Sequence, residues 1–204
     1  GAPGAEPARK RPTPRPAPPA EELLVRNLAD AAESFPSIET ADLTSLMQRI
    51  GSARIVLLGE ATHGTSEFYR MRERITRELI VGKGFRFVAI EADWPDAARV
   101  DHYVRHFQYP PSEWTAFARF PTWMWRNEET RGFVDWLHAH NAPRDESARV
   151  AFYGLDLYSL YTSVKAVISY LDTVDPDLAT TARERYGCLS PWEADPAAYG
   201  RAAL

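Results

Sequence analysis

Thiols are nearly absent from this sequence: Cys188 is its one cysteine. A lone thiol closes no internal disulfide and builds no Cys-based zinc site, so a reducing, cytoplasmic setting is expected. Long apolar runs are missing too. None approaches the ~20 residues needed to cross a bilayer, and the N-terminus has no hydrophobic signal core, so no membrane partner is expected. Positive charge does not accumulate, because 24 Lys and Arg against 28 Asp and Glu leave a net charge of −4. The small cluster Arg9-Lys10-Arg11 does not overturn that balance, and nucleic acid is not expected as a partner. Also absent is any Gly-x-Ser-x-Gly elbow, which removes the usual serine-hydrolase route.

What is present is enough for one domain with a real core: 204 residues, 45% hydrophobic and 25% charged. Residues 1–20 are mostly Pro, Ala and Arg with no large apolar side chain, so ordering them would cost entropy without return, and they are expected to form a disordered tail. The folded domain is expected over 21–204. It opens with helices over Glu21 to Ala32 and Ala41 to Ile50, the second with Thr40 as N-cap. Three short apolar runs, Arg54 to Leu58, Phe85 to Ile90 and Arg149 to Tyr153, read as buried strands. Between the first two lies a helix-period stretch, Ser66 to Val81, an order that predicts a parallel pair of strands with a crossover helix. Further helical stretches, including Trp123 to His140, Ser159 to Leu171 and Pro176 to Tyr186, complete an α/β fold. The expectation is a mainly parallel sheet flanked by helices.

Ligands of open parallel sheets bind beyond the carboxyl ends of the strands, so the residues that follow each apolar run carry the chemistry. Those residues are Gly59-Glu60-Ala61-Thr62-His63-Gly64, Glu91-Ala92-Asp93-Trp94 and Gly154-Leu155-Asp156. Each run thus delivers a carboxylate to one edge, and the first adds an imidazole. Acids at such positions also cap the helices that follow, and that reading competes for each acid taken singly. Three together beside a histidine suit a site in which carboxylates orient the neutral tautomer of His63 as a base. On the intervening helix, Phe68, Met71, Ile75 and Leu79 form an apolar stripe, and Arg72 falls inside it. A buried guanidinium needs an anionic partner, with Glu60 and Glu91 as candidates, unless it snorkels to water.

The motif Leu57-Leu58-Gly59-Glu60-Ala61-Thr62-His63-Gly64-Thr65-Ser66-Glu67, followed by Ala89-Ile90-Glu91-Ala92, resembles the erythromycin esterase family. The resemblance extends to Arg72, to Trp123-Met124-Trp125-Arg126-Asn127-Glu128-Glu129 and to Tyr153-Gly154-Leu155-Asp156, and so covers about residues 50–160. It implies a hydrolase that opens macrolide lactones by histidine-activated water. His63 matches the general base, Glu60 and Glu91 the active-site carboxylates, and Arg72 the motif arginine. It also implies a longer protein with a further active-site histidine in a C-terminal half. This chain is therefore expected to be the N-terminal part of such a domain, with the second half on the parent chain or another chain.

The mechanism expected is attack of water, activated by His63, on an ester or lactone carbonyl, with Arg72 or a backbone N–H stabilising the oxyanion. Antibiotic resistance would follow where that substrate is a macrolide. Trp94, Trp123, Trp125 and Asp156 are candidate substrate-binding residues, although aromatics at helical spacing, Trp136 among them, also suit a core. No cofactor is expected. The competing metal reading would use Glu60, His63, Glu91 and Asp156 as ligands to a divalent ion. His102 and His106, one turn apart without a Glu partner, read as a surface pair, and His138 and His140 as partners of a helix dipole. The alternative to an enzyme is a repurposed family member that acts as a binding or interaction module.

Overall fold

Two strands carry the fold. Residues Phe87–Asp93 form β1 and Ala151–Asp156 form β2, which pair in parallel with Phe87 opposite Ala151, Ile90 opposite Gly154 and Asp93 opposite Asp156. These coordinates are a computed structural model that describes residues 19–108, 116–117, 122–156, 159–193 and 196–202. The tail expected over residues 1–20 lies, up to residue 18, outside the described residues.

The chain divides into two compact units, residues 1–41 and 42–204. In the first, Ala20–Ala31 forms α1, a helix with no buried residue. In the second, α2 spans Thr44–Ile50. It starts later than the expected Ala41, and Thr40 does not cap it; the Thr44 N–H is accepted by Asp42 Oδ1 at 2.9 Å. There follow α3 (Ser66–Lys83), α4 (Trp94–His106), the one-turn α5 (Thr122–Trp125), α6 (Glu128–Asn141), α7 (Leu160–Val174), α8 (Pro176–Tyr186) and α9 (Pro196–Ala202). The architecture is mostly helical around a small parallel sheet, an α/β fold. Local chemistry starts several of these helices. The Asn127 side chain accepts the Thr130 N–H at the head of α6, and Asp175 accepts the Leu178 N–H at the head of α8, where Pro176 loses nothing by lacking a donor.

The core lies between one face of the sheet and α3, α4 and α6. Ala97, Val100 and Val104 of α4 and Val134 and Leu137 of α6 meet Phe152 of β2 and Ile80 of α3. Two buried polar side chains fix the layers. Asn141, with no exposed surface, donates from Nδ2 to the carbonyls of Val104 and Val150 and accepts the Val150 N–H. Asp101 accepts the Phe152 N–H at 2.9 Å and pairs with Arg105. Gly154 stands where the strands come closest: a Cβ there would lie 2.5 Å from the Ala92 carbonyl oxygen, beside the irregularity in register between Ile90 and Asp93. The other face of the sheet is open, with Phe87, Tyr153 and Leu155 58%, 43% and 70% exposed.

Two expectations change here. The run Arg54 to Leu58 is not a buried strand among the described residues, and it does not form the parallel pair with the second run. Ile55 and Leu57 are 75% and 89% exposed. Apolar, branched residues favour extended backbone, but a strand also needs a neighbour with free N–H and C=O groups in register. The parallel partner of the second run is instead the third. The helical connection between them passes through α4, α5 and α6.

Candidate active site

The sharp turn Gly59–Thr65 leads directly into α3, and its geometry is set by Gly64, whose φ of +74° lies in the left-handed region. A Cβ on Gly64 would sit 3.2 Å from the ring of Trp123, so the glycine also lets that indole lie against the turn. The Thr62 and Thr65 hydroxyls bond one another at 2.8 Å and close the loop. This brings His63 back over Glu60, three residues earlier, and His63 Nδ1 bonds Glu60 Oε1. An ionised carboxylate only accepts, so Nδ1 carries the proton and the Nε2 lone pair is left for other chemistry.

Glu60 is shared. Its second oxygen, Oε2, forms an ion pair at 2.8 Å with a terminal nitrogen of Arg72, in the second turn of α3. The Glu60 side chain is only 10% exposed and that of Arg72 20%, while His63 remains 46% exposed. A covered carboxylate thus holds an accessible imidazole on one side and a covered guanidinium on the other. The inward face of α3 differs from the expected stripe: its fully buried residues are Tyr69, Leu79 and Ile80, and Phe68 is 36% exposed. Arg72 follows buried Tyr69 by three positions and shares its face. The expectation that Arg72 pairs with an acid rather than snorkelling therefore holds, with Glu60 as the acid.

Aromatic groups surround this chain of charges. The Arg72 guanidinium lies 4.9 Å from the Tyr69 ring centre and 5.8 Å from that of Trp125. Tyr69 donates its hydroxyl to the Met124 carbonyl at 2.6 Å and meets Trp125 edge to face. Burial pushes the Tyr69 phenol above its usual range; a hydrogen bond to the Gly64 backbone opposes this, and the negative charge of Glu60 adds to it. Trp123, half exposed, has its ring centre 6.5 Å from that of His63. At the head of α3, Ser66 donates to Glu129 at 2.5 Å, and this bond holds the Glu129 carboxyl below its usual range.

The remaining expected residues are placed differently. Glu91 lies within β1, not after it, and among the described residues its carboxylate has no hydrogen bond or ion pair. It reaches the cluster through its main chain, whose carbonyl accepts the Trp125 Nε1–H at 2.7 Å. The acids that end the strands are Asp93 and Asp156, directly opposite one another. Asp93 accepts both the N–H and the hydroxyl of Ser159, at 2.8 and 2.5 Å, a tie that sequence reasoning missed. Asp156 Oδ2 is closed to solvent without a hydrogen bond among the described residues. Burial raises the Asp96 carboxyl, and Asp93 adds to that effect while Arg99 opposes it. Trp94 heads α4 next to Gly154. Among the described residues no group of three or more His, Cys, Asp or Glu is arranged to hold a metal ion.

Of the other histidines, His102 bonds Gln108 at 2.8 Å and His106 lies 3.3 Å from Glu146. His138 and His140 stack on Tyr103 and Trp136, and burial lowers the affinity of both for a proton. Both lie in the last turn of α6, the place expected for partners of its dipole, and burial favours their neutral rings there. Tyr69 is the site residue that sequence reasoning passed over; its one available signal was its place three residues before Arg72.

Residues 80–204, more than half of the chain, match the family model described as erythromycin esterase. The chain belongs to the erythromycin esterase family. The matched stretch contains Glu91, Trp94, Trp123, Trp125 and Asp156 and begins after the turn that bears Glu60 and His63 and after Arg72 of α3. Among curated relatives, this family member is 28% identical over 116 residues to "Erythromycin esterase type II" of Escherichia coli, covering 57% of this chain and 26% of that protein. It is 25% identical over 139 residues to "Putative hydrolase YbfO" of Bacillus subtilis (strain 168), covering 68% of this chain and 30% of that protein. The chain thus spans less than a third of the length of these relatives. Among solved structures, a succinoglycan biosynthesis protein superposes with a TM-score of 0.65 at 27% identity, over 85% of this chain and 44% of that one. A Bacillus cereus protein does so with a TM-score of 0.64 at 28% identity, over 84% and 42%. No helix among the described residues is long and apolar enough to cross a membrane.

Proposed function

We propose that this erythromycin-esterase-family chain carries the base of a hydrolase that cleaves carboxylic esters, with macrolide lactones as the substrate class to test first. The observation behind the proposal is the bond from His63 Nδ1 to Glu60, which leaves Nε2 of a half-exposed ring to receive a proton. In this reading Nε2 takes a proton from water as the water oxygen adds to the ester carbonyl. The tetrahedral intermediate then collapses, the acyl–oxygen bond breaks, and the imidazolium returns its proton to the departing alkoxide. Acid and alcohol are the products, and no electrons change hands. Glu60 fixes the tautomer and supports the imidazolium, the part a carboxylate plays beside histidine bases in general.

Arg72 neutralises the second oxygen of Glu60 and so keeps the carboxylate in place. It is thereby committed to Glu60, and a backbone N–H of the turn is the better oxyanion donor. Glu91 and Asp156 enter as residues that orient the substrate or the attacking water, Glu91 by its resemblance to the family's second carboxylate. Trp123, exposed beside His63, and Trp94 offer apolar surface to a bulky substrate. No resident metal or organic cofactor is invoked. A cytoplasmic setting and a role in antibiotic resistance belong to the same proposal.

The test is hydrolysis of a panel of macrolides, simple lactones and aryl esters, with and without chelator, by wild-type and His63→Ala. The proposal expects turnover that falls by about 10²–10⁴ in the variant and resists chelation. Equal turnover in the two proteins would sink the role of His63. Chelator-sensitive turnover would replace general-base attack with metal-activated water. No turnover on any ester would favour a binding module.

A further inference from the structure

We infer that Trp125 and Tyr69 are positioning residues that clamp the Arg72 guanidinium between aromatic surfaces, so that Arg72 in turn holds Glu60 in register under His63. The inference concerns residues outside the turn itself, and its catalytic consequence rests on the hydrolase reading above.

Four observations converge on these side chains. The guanidinium carbon of Arg72 lies within 6 Å of both ring centres, at 4.9 Å from Tyr69 and 5.8 Å from Trp125, inside the range where an aromatic face attracts a cation. The two rings brace one another edge to face, with centres 5.8 Å apart. Each ring is also tied to backbone by its own polar tip: Trp125 Nε1–H to the Glu91 carbonyl of β1, and the Tyr69 hydroxyl to the Met124 carbonyl of α5. Finally, Arg72 is covered, and the terminal nitrogen beside Glu60 meets it as an ion pair and makes no hydrogen bond among the described residues. A long side chain with many rotamers is therefore held by faces rather than by a network of acceptors.

The arrangement couples α3, α5 and the end of β1 to one charge. Without the indole, the Arg72 side chain regains rotamer freedom and Glu60 loses a fixed counter-charge, while His63 and its solvent-exposed side stay untouched. A residue acting this way alters kcat more than KM, whereas a substrate contact would raise KM. It also separates Trp125 from Trp123, which stands two positions earlier with half its surface open.

The experiment uses the full chain and reads Arg72 directly. The side-chain Nε–H signal of Arg72, assigned by its disappearance in Arg72→Lys, is expected upfield of the ordinary arginine position in the wild-type protein because of the ring currents. It should move part of the way back in Trp125→Leu, where the Tyr69 ring still faces the guanidinium, and remain displaced in Trp125→Phe, which keeps a ring but loses the indole N–H. Tyr69→Phe, which keeps the ring and loses the hydroxyl, should also leave it displaced. In kinetics, Trp125→Leu should lose up to about 10²-fold in kcat with KM held within about twofold, and Trp125→Phe should restore most of the loss. An undisplaced Arg72 signal in the wild-type protein would overturn the inference even if Trp125→Leu fails to fold. So would a displacement that is undiminished in Trp125→Leu. A displaced signal that Trp125→Leu diminishes, in a protein that hydrolyses no ester, would uphold the clamp and overturn the hydrolase reading instead.

Discussion

Glu60 holds His63 on one carboxylate oxygen and Arg72 on the other, the second contact at 2.8 Å. One covered acid is thus the hinge between an imidazole open to solvent and a guanidinium that is not. Replacing it with an amide separates the two functions. Glu60→Gln keeps the shape but removes the charge that fixes the His63 tautomer and balances Arg72. Ester turnover is expected to fall by about 10²–10⁴, nearly as far as in His63→Ala. The double variant should be little worse than either single one, because the two residues act as a unit. Additive losses in kcat/KM would show that they act separately.

Trp123 presents half its surface beside His63. If it supplies apolar contact to substrate, Trp123→Ala should raise KM for bulky lactones by about 10-fold, corresponding to ~1–2 kcal/mol of lost apolar contact. Small aryl esters should be affected much less. A uniform loss of kcat across the panel would instead mark Trp123 as a support for the turn at Gly64.

Asn141 is fully buried and satisfies three backbone groups, one on α4 and two on Val150 just before β2. Asn141→Leu leaves those groups without partners, at about 1–3 kcal/mol each. Urea unfolding should show at least ~3 kcal/mol of destabilisation, with the midpoint lowered and the slope unchanged. A change below ~1 kcal/mol would mean that the groups find water.

Gly154→Ala would place a methyl 2.5 Å from the Ala92 carbonyl, a backbone atom that cannot swing aside. The two strands must part locally, and a loss of about 1–3 kcal/mol or more is expected in the same assay. Unchanged stability would show that the sheet yields at its irregular register.

His138 and His140 bind protons less readily in the folded chain than in the unfolded one, because burial in aromatic stacks disfavours the cation. Their neutral forms leave stability intact above pH ~6.5, and stability is lost as pH falls below that value until the folded-state groups also titrate. The thermal midpoint should therefore drop between about pH 6.5 and 5, and less so in His138→Phe, which keeps a ring against Tyr103. An equal drop in that variant would assign the acid sensitivity to His140, whose proton affinity burial also lowers.

Much of the site is local and was legible without coordinates. Glu60, His63 and Arg72 lie within thirteen positions of one another, so a tight turn and the first two turns of α3 bring them together, and glycine at 64 permits the turn. The second and third apolar runs became β1 and β2, since branched and aromatic residues between turn signals suit extended backbone. What the sequence did not determine depends on distant partners. The run Arg54 to Leu58 has the composition of a strand, yet no strand takes it up here, because pairing depends on a neighbour's free hydrogen-bonding groups. Glu91 reads as a site carboxylate, yet its carbonyl makes the described contact, because the pleat alternates side chains while Trp125 approaches the edge of β1. Tyr69 carries no motif; its role emerges only once α5 lies against α3. Turn and helix geometry is set by neighbours along the chain, and the sequence determines it directly. Which faces meet is set by packing among elements dozens of residues apart, and only the tertiary structure decides that.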